Sequence, residues 1–162
     1  MKKLILMLCL LPVLAVAQAN QTKTFNVNDG SFYVKERTNL TGTLSLETGF
    51  SAPLMRRGNL STAVNLAYIQ NLSNPWKGNG WESGLAFGYR LNRGWSLYTK
   101  TVTNFNGNWN QETGLRTNIY RTSNYAVSAS AGYVMDYPLR NKAKNSWNVG
   151  VTVSFPVKTL FK

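Results

Sequence analysis

The sequence predicts an all-β fold, an antiparallel up-and-down transmembrane β-barrel of about eight strands. Three observations predict it. Segments of ten or eleven residues alternate large apolar side chains with small or polar ones, the period-two signature of a strand with two unlike faces. The minor face of these segments is largely Gly, Ala, Ser, Thr and Asn, whereas a solvated sheet carries many more long charged side chains. The aromatic residues Trp81, Trp95, Trp109, Tyr125 and Trp147 stand at segment ends, with Tyr68, Tyr89 and Tyr133 close to one, as in the two interfacial girdles of a membrane barrel.

Each segment can be justified in turn. The first, DGSFYVKER (29–37), alternates poorly. LTGTLSLETGF (40–50) sets Leu40, Leu44, Leu46 and Phe50 against Thr41, Thr43, Ser45, Glu47 and Gly49. LSTAVNLAYIQ (60–70) sets Leu60, Val64, Leu66 and Tyr68 against Ser61, Ala63, Asn65 and Ala67. WESGLAFGYRL (81–91) places Leu85, Phe87 and Tyr89 opposite Gly84, Ala86 and Gly88. WSLYTKTVTNF (95–105) is less pure, with Trp95, Leu97 and Phe105 opposite Tyr98, Lys100 and Asn104. WNQETGLRTNIYR (109–121), YAVSASAGYVM (125–135) and SWNVGVTVSF (146–155) complete the set, the last with Trp147, Val149, Val151, Val153 and Phe155 on one face. Such spacing fits a barrel or a sandwich.

The connections alternate in length. NRG (92–94) and TSN (122–124) are tight turns, while NLSNPWKGNG (71–80) and DYPLRNKAKN (136–145) are longer, polar and basic. Short inner turns and long outer loops are the asymmetry of outer-membrane barrels. SAPLMRRGN (51–59) is long for an inner turn, and the outer connections at 38–39 and 106–108 are short. Arg56 and Arg57 fall on the inner side, in reach of headgroups.

Residues 1–19 read as a cleaved signal peptide and 20–162 as the barrel domain. Lys2 and Lys3 form the positive start, Leu4 to Leu14 the apolar run, and Ala17-Gln18-Ala19 the cleavage site. The apolar run is too short to span a bilayer as an ordinary helix. Cys9 lies inside it without the small preceding residue that lipidation requires, so the mature chain carries no cysteine and no disulfide. With no histidine and scattered carboxylates, neither a metal site nor any other cofactor is expected. Without the leader, sixteen basic residues face six acidic ones, which points to an anionic partner such as lipid headgroups or lipopolysaccharide phosphates. Export and the lack of a compact aromatic motif on a sheet exclude nucleic acid.

A large face toward lipid leaves the small and polar face for the interior, and an eight-stranded interior is barely wide enough for side chains. The charges on that face, Glu82, Arg90, Lys100, Glu112 and Arg116, then form a hydrogen-bonded interior network, because an unpartnered buried charge costs several kcal/mol. Closing the hairpins puts Lys100 diagonal to Glu112 and Tyr98 opposite Arg116. In the outer loops, Lys77 beside Trp76, and Arg140, Lys142 and Lys144 together, are candidate anion contacts.

The signal peptide, the eight segments and the final WNVGVTVSF resemble the small bacterial outer-membrane barrels, among them the membrane domain of the OmpA family and the OmpX and Ail type. In that class the last strand ends in an aromatic residue that the barrel-assembly machinery reads. Phe155 fits, but PVKTLFK follows it, and Phe161 has the same parity, so the strand has two candidate ends. No diagnostic motif of one family is present, so no residue's role is carried over. The enzymes of this class resemble one another in needing a catalytic histidine, which this chain lacks. A serine nucleophile is thus without its usual base, and Lys100 is more simply a partner for a carboxylate. The chain reads as a non-enzymatic outer-membrane barrel with a structural or surface-interaction role, encoded by a bacterium or a phage. The alternatives are a small pore and a soluble secreted β-domain that binds an anionic ligand.

Overall fold

The computed structural model describes residues 29–76, 79–104, 108–137 and 145–160. The described residues form eight strands: β1 (Ser31–Asn39), β2 (Leu44–Arg57), β3 (Leu60–Asn71), β4 (Gly80–Arg90), β5 (Trp95–Asn104), β6 (Trp109–Arg121), β7 (Ala126–Tyr137) and β8 (Asn145–Pro156). Each pairs antiparallel with its sequence neighbours, and β1 also pairs with β8, so the sheet closes on itself and has no free edge. The connections β2–β3, β4–β5 and β6–β7 lie with the start of β1 and the end of β8 at one end of the barrel, the turn end. The other connections lie at the opposite, loop end.

The local chemistry of the turns explains where strands stop. At the turn end, Asn92 Oδ1 accepts from the N–H groups of Gly94 and Trp95, both at 2.9 Å. Thr122 Oγ1 accepts from Tyr125 N at 3.1 Å. Gly58 carries φ +57° in the two-residue link from Arg57 to Leu60, a left-handed conformation that a Cβ disfavours. At the loop end, Asn39 Oδ1 accepts from Thr41 N and Thr43 N at 3.1 and 2.8 Å, and Gly42 follows at φ +84°.

These turns correct two sequence-based boundaries. Residues 40–43 are the turn and not the start of the second strand, because the Asn39 side chain takes the N–H groups that a ladder needs. The stretch 51–57, expected as a long inner connection, is the second half of β2. It carries the irregularity between Pro53 and Met55, where the register shifts against β3. A proline has no N–H to give the ladder, so a bulge accommodates it. The chain end decides between the two candidate ends of the last strand. β8 stops at Pro156, and Val157–Leu160 form a short helical turn, α1, whose Val157 N donates to Gly30 O at 3.0 Å. A strand running on to Phe161 is therefore excluded, although Phe161 itself lies outside the described residues.

The barrel wall is inverted relative to a soluble protein. Leu66, Leu97, Leu115, Val149 and Val151 project outward, with Leu115 42 % and Val151 48 % exposed. Aromatic pairs ring both ends of this apolar band. Tyr68–Trp81 and Tyr133–Trp147 meet edge to face at 5.4 and 5.3 Å toward the loop end. Phe32–Phe50 and Tyr120–Tyr125 meet in tilted geometry at 5.2 and 5.8 Å toward the turn end. Inside, the buried side chains include Lys35, Glu47, Asn65, Glu112, Asn148 and Thr152. Large apolar residues outside and charged ones inside are the arrangement that lipid selects.

Candidate functional site

The interior charges come from alternate residues of β1, β2, β5 and β6. On β1 the inward phase is Tyr33, Lys35 and Arg37; on β2 it includes Glu47; on β5, Tyr98 and Lys100; on β6, Glu112 and Arg116. Lys35 Nζ donates to Glu112 Oε1 at 3.1 Å, and Arg37 Nη1 stands 3.7 Å from Glu112 Oε2. Tyr98 Oη donates to Glu112 Oε1 at 2.5 Å. The second carboxylate, Glu47, pairs with Lys100 and accepts from Tyr33 Oη at 2.7 Å. Glu47 is 1 % exposed and Glu112 3 %, so each buried carboxylate has an ammonium and a phenol to offset its desolvation.

Both ion pairs span the lumen. β1 and β6 are three strands apart around the barrel by way of β8 and β7, and β2 and β5 are three apart by way of β3 and β4. The pairs are therefore straps between facing walls. Glycines make room for them. Tyr98 lies in register with Gly114, which is itself opposite Gly132, and a Cβ on Gly132 stands only 2.7 Å from Tyr98 Oη. The notch left by the two glycines holds the phenol against Glu112.

The five interior residues named from the sequence have different surroundings. Lys100 is directly opposite Glu112 in register, not diagonal to it, and its ammonium crosses the lumen to Glu47. Arg116 is opposite Ser96 rather than Tyr98, and its guanidinium stacks over the Tyr98 ring at 5.1 Å. Glu82 accepts from Asn110 Nδ2 at 3.3 Å. Arg90, the last residue of β4, is exposed at the turn end, outside the straps. Lys77, Arg140, Lys142 and Lys144 lie outside the described residues. The sequence reading missed Lys35, Arg37 and Tyr33, because β1 alternates poorly: Glu36 faces outward between Leu46 and Val151 while Lys35 and Arg37 face in. Glu47 had a usable signal, its place on the minor face with Ser45 and Gly49.

Between the straps and the turn end lies a cavity of about 480 Å3. Lys35, Glu47 and Lys100 form its floor, and the residues of the 58–59 and 92–94 turns its rim. The lumen is thus blocked at mid-height and open below. Among the described residues no group of three or more metal-ligating side chains occurs.

No protein-family profile matches the sequence, and no curated protein is significantly similar to it. Its fold is that of small transmembrane β-barrels. A barrel from the de novo design of transmembrane β-barrels is 14 % identical at a TM-score of 0.53, covering 80 % of this chain and 97 % of that one. The de novo designed barrel TMB2.3, solved by solution NMR, is 12 % identical at a TM-score of 0.52, covering 84 % and 98 %. The N-terminal β-barrel domain of Pseudomonas aeruginosa OprF is 18 % identical at a TM-score of 0.42, covering 79 % and 98 %.

Proposed function

We propose that this chain is a non-enzymatic outer-membrane barrel that acts as a structural or surface-interaction protein. Its turn end faces the periplasm, and its basic loops, with Lys77, Arg140, Lys142 and Lys144, contact lipopolysaccharide or a partner's anionic surface. The observation that carries the reading is the inverted wall, an apolar band between two aromatic girdles around a charged, strapped interior. The absence of histidine from the sequence favours a non-enzymatic role. The signal peptide of residues 1–19 is the export route this reading requires.

Cell fractionation followed by gels of unboiled and boiled outer membranes tests it. The expected protein partitions with the outer membrane and migrates differently when left folded. A soluble periplasmic product without a heat-dependent shift overturns the membrane reading and favours the soluble anion-binding domain instead. Lipopolysaccharide contact is tested separately. The variant with Lys77, Arg140, Lys142 and Lys144 all changed to Gln loses salt-sensitive binding to lipopolysaccharide but keeps the heat-dependent shift.

A further inference from the structure

The cavity at the turn end is polar in a one-sided way. Arg56, Arg90, Arg93 and Arg116 line it, with Lys35 and Lys100 at its floor, and Glu47 is the carboxylate among its lining residues. Glu47 is already engaged by Lys100 and Tyr33. Lys35 is engaged by Glu112. The four arginines take part in none of the ion pairs found among the described residues. A cavity with that charge balance concentrates anions at its mouth.

A second, independent observation lies deeper. Four buried side-chain atoms among the described residues have no hydrogen-bond partner: Arg116 Nε, Glu47 Oε2, Thr62 Oγ1 and Thr152 Oγ1. Thr62, opposite Phe87 and in phase with Val64 and Leu66, faces outward, whereas Arg116, Glu47 and Thr152 face the lumen and line this one cavity. Buried polar atoms are otherwise almost always satisfied, so their convergence marks a place built for a polar occupant. Arg116 is the best defined of them. Its guanidinium lies over the Tyr98 ring, and Tyr98 is fixed by Glu112, so the donor is held in place before anything binds. A guanidinium presents paired N–H groups that match two oxygens of a phosphate. The Thr152 hydroxyl both donates and accepts, and the free Glu47 oxygen accepts. The three lumen-facing atoms together ask for a ligand with an oxyanion at one end and hydroxyl groups at the other. A volume of about 480 Å3 suits a small solute.

We propose that the turn-end cavity binds a small hydroxylated phosphate monoester, with Arg116 as the deep anchor and Arg90 and Arg93 drawing the anion in from the rim. This site is separate from the loop contacts proposed above and does not depend on them. Glucose 6-phosphate is the probe, titrated by calorimetry into the full mature barrel in a polyoxyethylene detergent that contains no phosphate. Glucose and inorganic phosphate are titrated in parallel.

The expected result is saturable one-to-one binding of glucose 6-phosphate that weakens with added salt. Glucose shows no binding, and inorganic phosphate binds at least threefold more weakly than the ester. Arg116→Gln lowers the affinity at least tenfold. Arg93→Gln, on an exposed turn where folding is not at stake, lowers it at least twofold, and the heat-dependent gel shift reports that both variants are folded. Absence of saturable binding, equal affinity for glucose, or an affinity unchanged in both variants overturns the proposal. Binding of inorganic phosphate as tight as the ester overturns the hydroxyl-recognising half of it. Binding only of phospholipid or lipopolysaccharide in vesicle arms, with none of the free ester, overturns the assignment to a soluble solute.

Discussion

At the scale of single residues, the interior is decided by partners rather than by polarity. Glu47 and Lys100 illustrate it: the carboxylate is 1 % exposed and is tolerated there only because an ammonium and a phenol meet it. Removing one member leaves the other charge buried and uncompensated. Glu47→Ala is expected to destabilise the folded barrel by about 3–5 kcal/mol. The double variant Glu47→Leu with Lys100→Met recovers most of that loss, since replacing both members of a buried pair by apolar side chains is often neutral. Urea titration of the barrel in lipid vesicles, followed by tryptophan fluorescence, gives the two values. A single variant as stable as the parent contradicts the strap, and a double variant no better than the single shows that the pair does more than compensate charge.

At the scale of elements, the barrel depends on turns that were only partly readable. The tight links after β4 and β6 were legible, because Asn-Arg-Gly and Thr-Ser-Asn carry turn chemistry between alternating runs. The link after β2 was not, because Pro53 and the pair Arg56–Arg57 look like loop residues, and only the pairing with β3 shows them to be strand. β1 was faint for a different reason. Its inward face carries Lys35 and Arg37 and its outward face Glu36, so hydropathy barely alternates even though burial does. The Gly58 link gives a test at this scale. With φ +57°, any side chain there is strained, and Gly58→Val is expected to lower stability by about 1–2 kcal/mol. Asn59→Ser, one residue on, is expected to change stability by less than about 0.5 kcal/mol, as a surface substitution does. The same urea titrations separate the two, and equal effects at both positions contradict the two-residue turn.

At the scale of the whole molecule, fold and site were unequally legible. Seven alternating segments and a faint eighth fit a barrel or a sandwich alike. The small-residue minor face favours the barrel, because an eight-stranded interior is barely wide enough for side chains. Which charges pair does not follow, since Lys35 meets Glu112 across 77 residues of sequence and Lys100 meets Glu47 across 53. Those contacts exist only once the lumen is closed, and local hairpin geometry offers the wrong partner, Glu112, for Lys100. The same contacts decide whether the barrel conducts. Two straps cross the lumen between facing walls, and the cavity ends at their lower side. The parent protein is therefore expected to give no sustained current steps in planar bilayers. Glu47→Ala combined with Lys100→Ala removes one strap without stranding a charge, widens the lumen at mid-height, and is expected to produce small, brief steps. Steady open steps from the parent protein contradict the plugged interior and favour the pore. Silence from both means that the Lys35–Glu112–Tyr98 strap alone is enough to keep an eight-stranded lumen shut, which its position between β1, β5 and β6 makes physically reasonable.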